Sequence, residues 1–419
     1  MTKPRDTSQD AYSKGKPSRL AFPAYLTSSS FWVSGISLEN LFVSWVFLGV
    51  LKESADVFGQ NRALISTMPL LVLLVGGIVA DRVESKRFLI LITLIAACTP
   101  LVLIGAIANL ATWHVTTFAV TMAILNAFVD PSRQAVINKV SRTDIQRSIA
   151  IVYIVPSLLS MIAMSVMAPL ESLGLSWVLM TVSVLFIVSA GSLLGIPSVW
   201  PVDSPRLNLT RGVLAAWKIR LIREVIGLNC VSALFNAGGY VVVVPLIATG
   251  VYGGDAALLA LVGIFFLIGS TGSNFLLLIF MPIRRPGRLV VVLQLTRAVF
   301  LVLLLFHPPQ WIFLLLVGCW GLNMGVTSTL MRSTVQEFAP EQHRAQILSV
   351  MLFGFMLASP ISSLVLGEFV HRTNPLMGLV PGIVLSVALF GWGLKVSEFW
   401  NYTSASAEQS QSWLKRLTS

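Results

Sequence analysis

The sequence predicts an all-α polytopic membrane protein with twelve transmembrane helices in two pseudo-symmetric six-helix bundles. Of its 419 residues, 55% are apolar and only 11% are charged, with a mean hydropathy of +0.82. Long windows such as 88–128 and 173–201 contain no Asp, Glu, Lys or Arg. Similar strings recur at an offset of about 200 residues. Because a backbone in hydrocarbon must satisfy its own hydrogen bonds, the apolar windows predict spanning helices.

Apolar runs bounded by charges, Pro and Gly locate the individual spans. The predicted spans are 28–51, 63–81, 88–108, 112–131, 147–170, 175–197, 223–249, 256–281, 288–306, 310–331, 346–369 and 375–397. The predicted chain starts with a cytoplasmic tail (1–25) and a first six-helix bundle (26–197). A cytoplasmic linker (198–222), a second six-helix bundle (223–397) and a second cytoplasmic tail (398–419) follow. The linker contains several basic residues together with Pro201 and Pro205. Such a polar, proline-containing segment is typical of a boundary between bundles.

The positive charges predict the orientation. With a cytoplasmic N-terminus, all but four of the 29 Lys and Arg fall on the cytoplasmic side. Lys52, Arg62 and Arg372 then lie in outer segments, and Arg297 lies inside a span. Since basic loops stay cytoplasmic, both termini are expected there. The net charge of +11 is thus attributed to topology rather than to nucleic-acid binding.

The segment Gly76 to Arg87, which reads GGIVADRVESKR, follows the second span. It resembles the signature loop between helices two and three of the major facilitator superfamily, although Glu84 replaces the family's usual glycine. The resemblance implies the major facilitator fold and a gating latch on the cytoplasmic side. Its gating residues would be Gly77, Asp81, Arg82, Lys86 and Arg87; the alternative is an ordinary basic turn. Gly77 would allow close helix approach, and Asp81 would meet a helix N-terminus.

Arg133 ends the fourth span within PSRQAV, and Arg332 ends the tenth within LMRSTV. This repeat favours two parallel halves with a substrate site between them, and it places both arginines in the gate. The stretches 126–140 and 332–350 resemble the enterobactin-exporter and macrolide-efflux branch of the superfamily.

The branch resemblance implies a monomeric antiporter in the bacterial inner membrane. Its expected activity is proton-coupled efflux of a drug-like or siderophore-like amphiphile. Residues 153–169 lack the Gly-Pro pair of many drug antiporters, so a proton-coupled importer of a small solute or siderophore stays as the alternative.

Two charged residues, Glu39 and Arg297, lie deep inside predicted spans, where such groups are costly and suggest function. Glu39 lies near the middle of the first span, about 16 Å from its start. Burial favours the neutral form of a carboxyl group, so Glu39 is the candidate proton carrier; the alternative is a structural hydrogen-bond partner. Arg297 would bind an anionic cargo group or neutralise a carboxylate within the protein.

Polar and aromatic residues on several spans predict a mixed pocket. The candidate substrate-binding residues are Asn40, Trp45, Asn126, Asn229, Asn236, Asn274, Arg297 and Asn323, with Phe235, Tyr240 and Trp320 as further walls. Helix packing or lipid contact is the alternative for each one.

The sequence offers no enzyme signature. Its four histidines and three cysteines are scattered, which predicts neither a metal site nor a disulfide, and no phosphate-binding glycine loop is present. We therefore expect no enzyme activity and no cofactor, with small-molecule cargo, protons and membrane lipids as the partners.

Overall fold

The computed structural model describes residues 20–80, 84–140, 145–197, 209–280, 283–340 and 343–404. It describes the backbone alone at 73–80, 131, 134, 135, 138, 139, 145–150, 209–211, 278 and 345. All regular structure in these ranges is helical. Among the predicted gating residues, Asp81 and Arg82 lie outside the described residues, as do tail residues 1–19 and 405–419.

Twelve long helices in the described residues form two sets of six. The first set is α1 Ala21–Trp45, α2 Ala55–Ala80, α3 Ser85–Ala106, α4 Thr112–Val140, α5 Ile145–Ser165 and α6 Leu175–Leu193. The second set is α7 Arg220–Gly238, α8 Ala256–Phe280, α9 Pro286–Leu305, α10 Gln310–Phe338, α11 Arg344–Arg372 and α12 Val380–Lys395. Ten helical segments in the described chain are long and apolar enough to cross a membrane.

The same helix pairs pack in both halves. In the first half, α1 contacts α4, α5 and α6, α3 contacts α4 and α6, and α2 contacts α4. In the second half, α7 contacts α10, α11 and α12, α9 contacts α10 and α12, and α8 contacts α10. Each pair recurs six helices later, so the fold is an internally repeated bundle, as the sequence predicts.

Wide π-helical turns extend the first helix of each half. Val46–Val50 continues α1, and Ile247–Val251, 201 residues further on, ends the α7 continuation. A second π turn, Gly239–Val243, directly follows α7 and has no counterpart in α1. Such turns occur frequently at functional sites. Gly239–Val243 packs against α2 of the first half, so this turn lies at the junction of the halves.

The ends of the bundle differ in how the halves meet. We call the end at which the described chain starts and finishes the terminal end, and the opposite end the distal end. In the distal half, α2 packs closely on α11: a Cβ built on Gly59 would lie 2.7 Å from the Gly367 Cα. The Asp56 carboxylate lies 3.1 Å from His371 Nδ1 nearer the distal surface. Deeper in, the Ser359 hydroxyl donates to Ser66 Oγ at 3.2 Å.

The pseudo-symmetric contact between α5 and α8 is looser. A Cβ on Gly263 of α8 would lie 3.2 Å from the Met164 sulfur of α5, where it would meet a flexible side chain instead of backbone. Both described polar links between the halves, Asp56–His371 and Ser66–Ser359, belong to the α2–α11 contact. The distal half is therefore held together mainly by α2 and α11.

The prediction that placed Arg62 in an outer loop is wrong. The second span starts at Ala55 rather than near 63, so Arg62 lies two turns inside α2 and is 4% exposed. Arg62 interrupts the apolar run near the start of α2, so hydropathy alone places the beginning of the span after this residue. The first helix likewise starts at Ala21, seven residues before the predicted 28.

The predicted linker contains a short helix in its described part. We call Leu209–Lys218 the linker helix; it contacts α7 and α11. After α12, residues 396–404 fold across the terminal end of the second half, and Phe399 is fully buried there. This part of the predicted C-terminal tail is consequently a packed segment of the fold.

Candidate transport site

Arg62 of α2 is the centre of a polar cluster between α1 and α2. Its Nη2 donates to the Asn40 carbonyl oxygen at 2.9 Å and to the Ser44 hydroxyl, and its Nη1 donates to Asn40 Oδ1 at 3.3 Å. The guanidinium carbon lies 5.4 Å from the ring centroid of Phe58. Arg62 thus anchors α2 to α1, and its buried Nε–H is left without a partner among the described groups.

Glu39 is the acidic member of this cluster. It is 5% exposed, and in the described structure no hydrogen bond or ion pair reaches its carboxyl group. Arg62 is the cation that interacts with it electrostatically. A buried carboxylate without hydrogen bonds is costly, whereas its neutral form is much less so. The group is therefore placed where a change of hydration would change its protonation.

Tyr240 faces Arg62 from the second half. It lies in the π turn Gly239–Val243, which packs against α2, and its phenol is near the Arg62 guanidinium. The ring stacks on Phe266 of α8 at a centroid distance of 3.7 Å. Tyr240 is the repeat counterpart of Glu39, because each residue lies 11 positions before the end of a matching π turn, at Val251 and Val50.

Chemically, the cluster joins a carboxyl group, a guanidinium, an amide and a phenol at the junction of the halves. The carboxyl group can accept and release a proton, and the guanidinium can balance its charge or bind an anion. The stacked Tyr240 and Phe266 rings provide a flat apolar wall. Because Tyr240 belongs to one half and Arg62 to the other, relative movement of the halves would change the surroundings of Arg62.

Arg297 lies in a separate polar cluster inside the second half, where it is 2% exposed. Its Nε donates to Ser386 Oγ and its Nη1 to Ser232 Oγ, both at 2.9 Å, and its Nη2 donates to Gln294. Asn236 joins the cluster through the Ser232 carbonyl oxygen at 2.6 Å. All these partners are neutral, so among the described residues no carboxylate pairs with Arg297.

Arg133 is buried inside the first half. Its Nη1 donates to Ser29 Oγ at 2.7 Å, and its Nη2 donates to Ser28 Oγ and Ser189 Oγ at 3.3 Å. The guanidinium also lies 5.5 Å from the ring centroid of Trp32. The Trp32 indole in turn donates to Asn126 at 3.1 Å. These contacts join α1, α4 and α6 within one half.

Three more of the predicted gating residues lie at the terminal end, namely Lys86, Arg87 and Arg332. Lys86 donates to the carbonyl oxygens of Leu194 and Ile196, at 2.9 and 2.6 Å, and so ties α3 to the end of α6. Arg87 pairs with Glu84 at 2.9 Å on the surface. Arg332, the repeat counterpart of Arg133, is exposed. Gly77 lies in α2, in the part described by its backbone.

The remaining pocket candidates are dispersed. Asn229 donates to the Met351 carbonyl oxygen at 3.4 Å, and Asn323 to that of Leu293 at 2.8 Å. Asn274 is exposed and donates within its own helix. Trp45 is half-buried at the end of α1, directly after Ser44. Of the predicted substrate-binding residues, the structure thus brings Asn40 directly to the Glu39–Arg62 cluster.

The sequence prediction missed Arg62 and Ser44. A signal for Arg62 is present: Ser54 followed by Asp56 is a helix-start pattern, and it would begin the second helix at residue 55. The same pattern would place Arg62 inside the span. Ser44 carries no such signal, because a serine inside an apolar helix is common.

Two repeated six-helix halves that meet beside a buried ionisable cluster define a membrane transporter of small molecules. The sequence model of the Major Facilitator Superfamily matches residues 27–363, so the chain belongs to this family of transporters, and it is not an enzyme. No curated protein matches the chain.

Solved transporters share the fold. The crystal structure of the nucleoside transporter NupG has a TM-score of 0.71 at 15% identity, and the match covers 92% of this chain and 100% of that chain. The peptide transporter POT in complex with sulfate has a TM-score of 0.70 at 12% identity, covering 94% and 99%. The POT family transporter PepTSo has a TM-score of 0.67 at 12% identity, covering 89% and 97%. At these identities the likeness shows the fold alone.

Proposed function

We propose that the protein is a proton-coupled secondary transporter that exports a small amphiphilic molecule, drug-like or siderophore-like, by alternating access, and that Glu39 carries the proton. The observation that carries this proposal is the buried, unpaired Glu39 carboxyl group next to Arg62 at the junction of the halves. A proton carrier must exist in both charge states, and the Arg62 charge would stabilise the ionised one.

The proposed orientation places both termini in the cytoplasm of a bacterial cell, with the protein in the inner membrane. Because Arg62 lies in α2 and not in an outer loop, Lys52 and Arg372 are the only Lys and Arg expected on the outer side. The excess of positive charge on the cytoplasmic side is therefore larger than the sequence alone predicts. The distal end would face outward, and the α2–α11 contact would close the protein on that side.

Alternating access would require the α2–α11 contact to break while a contact at the terminal end forms. We assign the latter to Gly77, Asp81, Arg82, Lys86, Arg87, Arg133 and Arg332. Arg332 is exposed and available for this role, whereas Arg133 would act by keeping α1, α4 and α6 together as a rigid half. Closure of the gate is expected to move each half as a unit.

The proposed cargo contacts are Asn40, the Arg62 Nε and the Tyr240–Phe266 wall. Asn126, Asn236, Arg297 and Asn323 would shape the cavity from within the halves, with Trp45, Asn229 and Asn274 further along the helices. The branch resemblance of residues 126–140 and 332–350 supports a drug-like or siderophore-like cargo. The nucleoside and peptide named for the solved transporters do not select the cargo, because those chains share only the fold.

Transport by purified protein in proteoliposomes tests the proposal, with a radiolabelled macrolide and a catecholate siderophore as probes. Glu39→Gln should retain exchange of probe across the membrane but lose accumulation driven by a proton gradient. Glu171→Gln removes an exposed carboxylate at the distal end and should behave as wild type. Undiminished proton-driven accumulation in Glu39→Gln would remove Glu39 from the mechanism.

The direction of transport is tested separately in membrane vesicles. Export predicts probe accumulation in everted vesicles supplied with a proton gradient that is acid inside. Accumulation that needs a right-side-out orientation with acid outside would instead establish the importer.

A further inference from the structure

The linker helix, residues Leu209–Lys218, exposes an apolar face. Val213, Leu214 and Trp217 are 45%, 59% and 66% exposed, and helical spacing places them on one side. The opposite side is docked: Ala216 is buried, and a Cβ on Gly212 would lie 2.7 Å from the Gln346 carbonyl oxygen of α11. The helix is therefore held in a fixed orientation while one apolar stripe is left uncovered.

Cations surround this stripe. Lys218 is exposed, and Arg223 in the first turn of α7 lies with its guanidinium carbon 5.3 Å from the Trp217 ring centroid. Arg223 also donates to the Trp217 carbonyl oxygen at 3.4 Å, which fixes the position of this pair. A tryptophan stacked under an arginine beside aliphatic side chains combines an apolar surface with positive charge. This combination fits an anionic lipid surface.

The position of the linker helix also supports contact with an anionic lipid surface. Ile219 alone separates the linker helix from α7, so the helix lies where a spanning segment leaves the hydrocarbon. A second pair at the terminal end has the same composition, since the Arg288 guanidinium lies 5.3 Å from the Trp400 ring centroid. Tryptophans with neighbouring cations mark the headgroup level of a bilayer.

We propose that the linker helix lies in the headgroup layer of the leaflet at the terminal end, with Val213, Leu214 and Trp217 inserted between lipids and with Lys218 and Arg223 bound to anionic headgroups. The docked side would then couple this lipid contact to the start of α11, one of the two helices that join the halves. The proposal does not depend on the cargo or on proton coupling.

Site-directed spin labelling of the full chain in nanodiscs tests the insertion. Cys98, Cys230 and Cys319 are replaced by Ser, and single cysteines are placed at positions 213, 214, 215, 217 and 218. Labels at 213, 214 and 217 should collide often with oxygen and rarely with a water-soluble nickel chelate, and the label at 218 should do the reverse. Frequent nickel collisions at 214 and 217 would place the stripe in water, and protection from both reagents would show a protein cover; either result overturns the proposal.

The charge part of the proposal is tested by the association of spin-labelled phosphatidylglycerol and phosphatidylcholine with the reconstituted chain. Wild type should prefer phosphatidylglycerol, and each cation removed in the Lys218→Gln/Arg223→Gln variant should lower that preference by about fivefold at this site. Lys52→Gln, which removes an exposed cation at the distal end, is the matched control. Equal lipid preference in the double variant and wild type would refute headgroup binding by these two residues.

Discussion

Gly59 of α2 and Gly367 of α11 touch backbone to backbone: a Cβ on either would lie 2.7 Å from the Cα of the other. Neither residue has a left-handed backbone conformation. Glycine is needed here because the two helices approach closely, and small residues are what allow such an approach in a membrane. The contact joins the two halves of the transporter. Adding one methyl group at this position would therefore change the distance between the halves.

The first prediction concerns this contact. In Gly59→Ala, the new methyl group would lie 2.6 Å from the Ser363 carbonyl oxygen, so α2 and α11 must separate in the distal half. Spin labels at Lys52 and Asn374 should report longer distances by double electron–electron resonance, and transport should fall. Gly105→Ala is the control, since a Cβ there meets no atom within 4 Å. An unchanged distance distribution in Gly59→Ala would contradict the proposed closure.

The second prediction concerns Arg62. Arg62→Gln removes the charge facing Glu39 and several bonds to Asn40 and Ser44, so proton-driven transport should fall by about tenfold or more, the effect of losing about 1.4 kcal/mol. Arg62→Lys keeps the positive charge but loses the planar fork of N–H donors. Its rate of proton-driven transport should therefore lie between those of wild type and Arg62→Gln. Ser44→Ala removes one acceptor and should be close to wild type. Full activity of Arg62→Gln in proteoliposomes would exclude Arg62 from the transport site.

The third prediction separates two repeat-related arginines. Arg133→Ala removes a buried guanidinium that binds three serine hydroxyls, and the loss should destabilise the folded protein by about 1.5–3 kcal/mol. Arg332→Ala removes an exposed side chain, so it should leave stability unchanged and alter transport instead. Thermal unfolding in detergent measures the difference. Equal unfolding temperatures for the two variants would show that the buried contacts contribute little.

The fourth prediction concerns the segment after α12. Phe399 is fully buried, and its carbonyl oxygen lies against Gly287 of α9. Glu224 of α7 accepts hydrogen bonds from Ser397 Oγ at 2.8 Å and from the Glu398 amide at 2.7 Å. Phe399→Ala should therefore lower the unfolding free energy by about 3–5 kcal/mol, visible as a lower unfolding temperature.

The control for the fourth prediction is Phe306→Ala. Phe306 is 77% exposed at the distal end, so its removal should cost little. If the two phenylalanine variants unfolded at the same temperature, the packed segment would not stabilise the second half.

The fold could be predicted from the sequence because hydropathy and the placement of basic residues are properties of whole segments. The repeat is equally visible in the sequence, since Arg133 and Arg332 lie in similar strings about two turns before the ends of the equivalent helices α4 and α10. The start of α2 could not be found by the same rule, because Arg62 is tolerated inside the helix only through bonds to Asn40 and Ser44 of α1. A partner on another helix is information that local composition does not contain.

The candidate site was predicted in part. Glu39 stood out because a carboxyl group inside a span is rare. The asparagines were less informative, because an amide inside a helix can donate to a carbonyl oxygen one turn earlier, as Asn236 and Asn274 do to Ser232 and Ser270. Which of them faces a cavity depends on helix rotation, and this is set by packing across the whole bundle.

The matching π turns Val46–Val50 and Ile247–Val251 change the direction in which side chains leave the helix. In each turn a backbone N–H donates to the carbonyl oxygen five residues earlier instead of four, as Leu51 does to Val46 and Tyr252 to Ile247. Side chains on the two sides of such a turn are therefore rotated relative to a continuous α-helix, and both halves carry this rotation at the same place. The extra turn at Gly239–Val243 adds a second rotation to the second half, so the faces on which Glu39 and Tyr240 lie are not equivalent even though their sequence positions match.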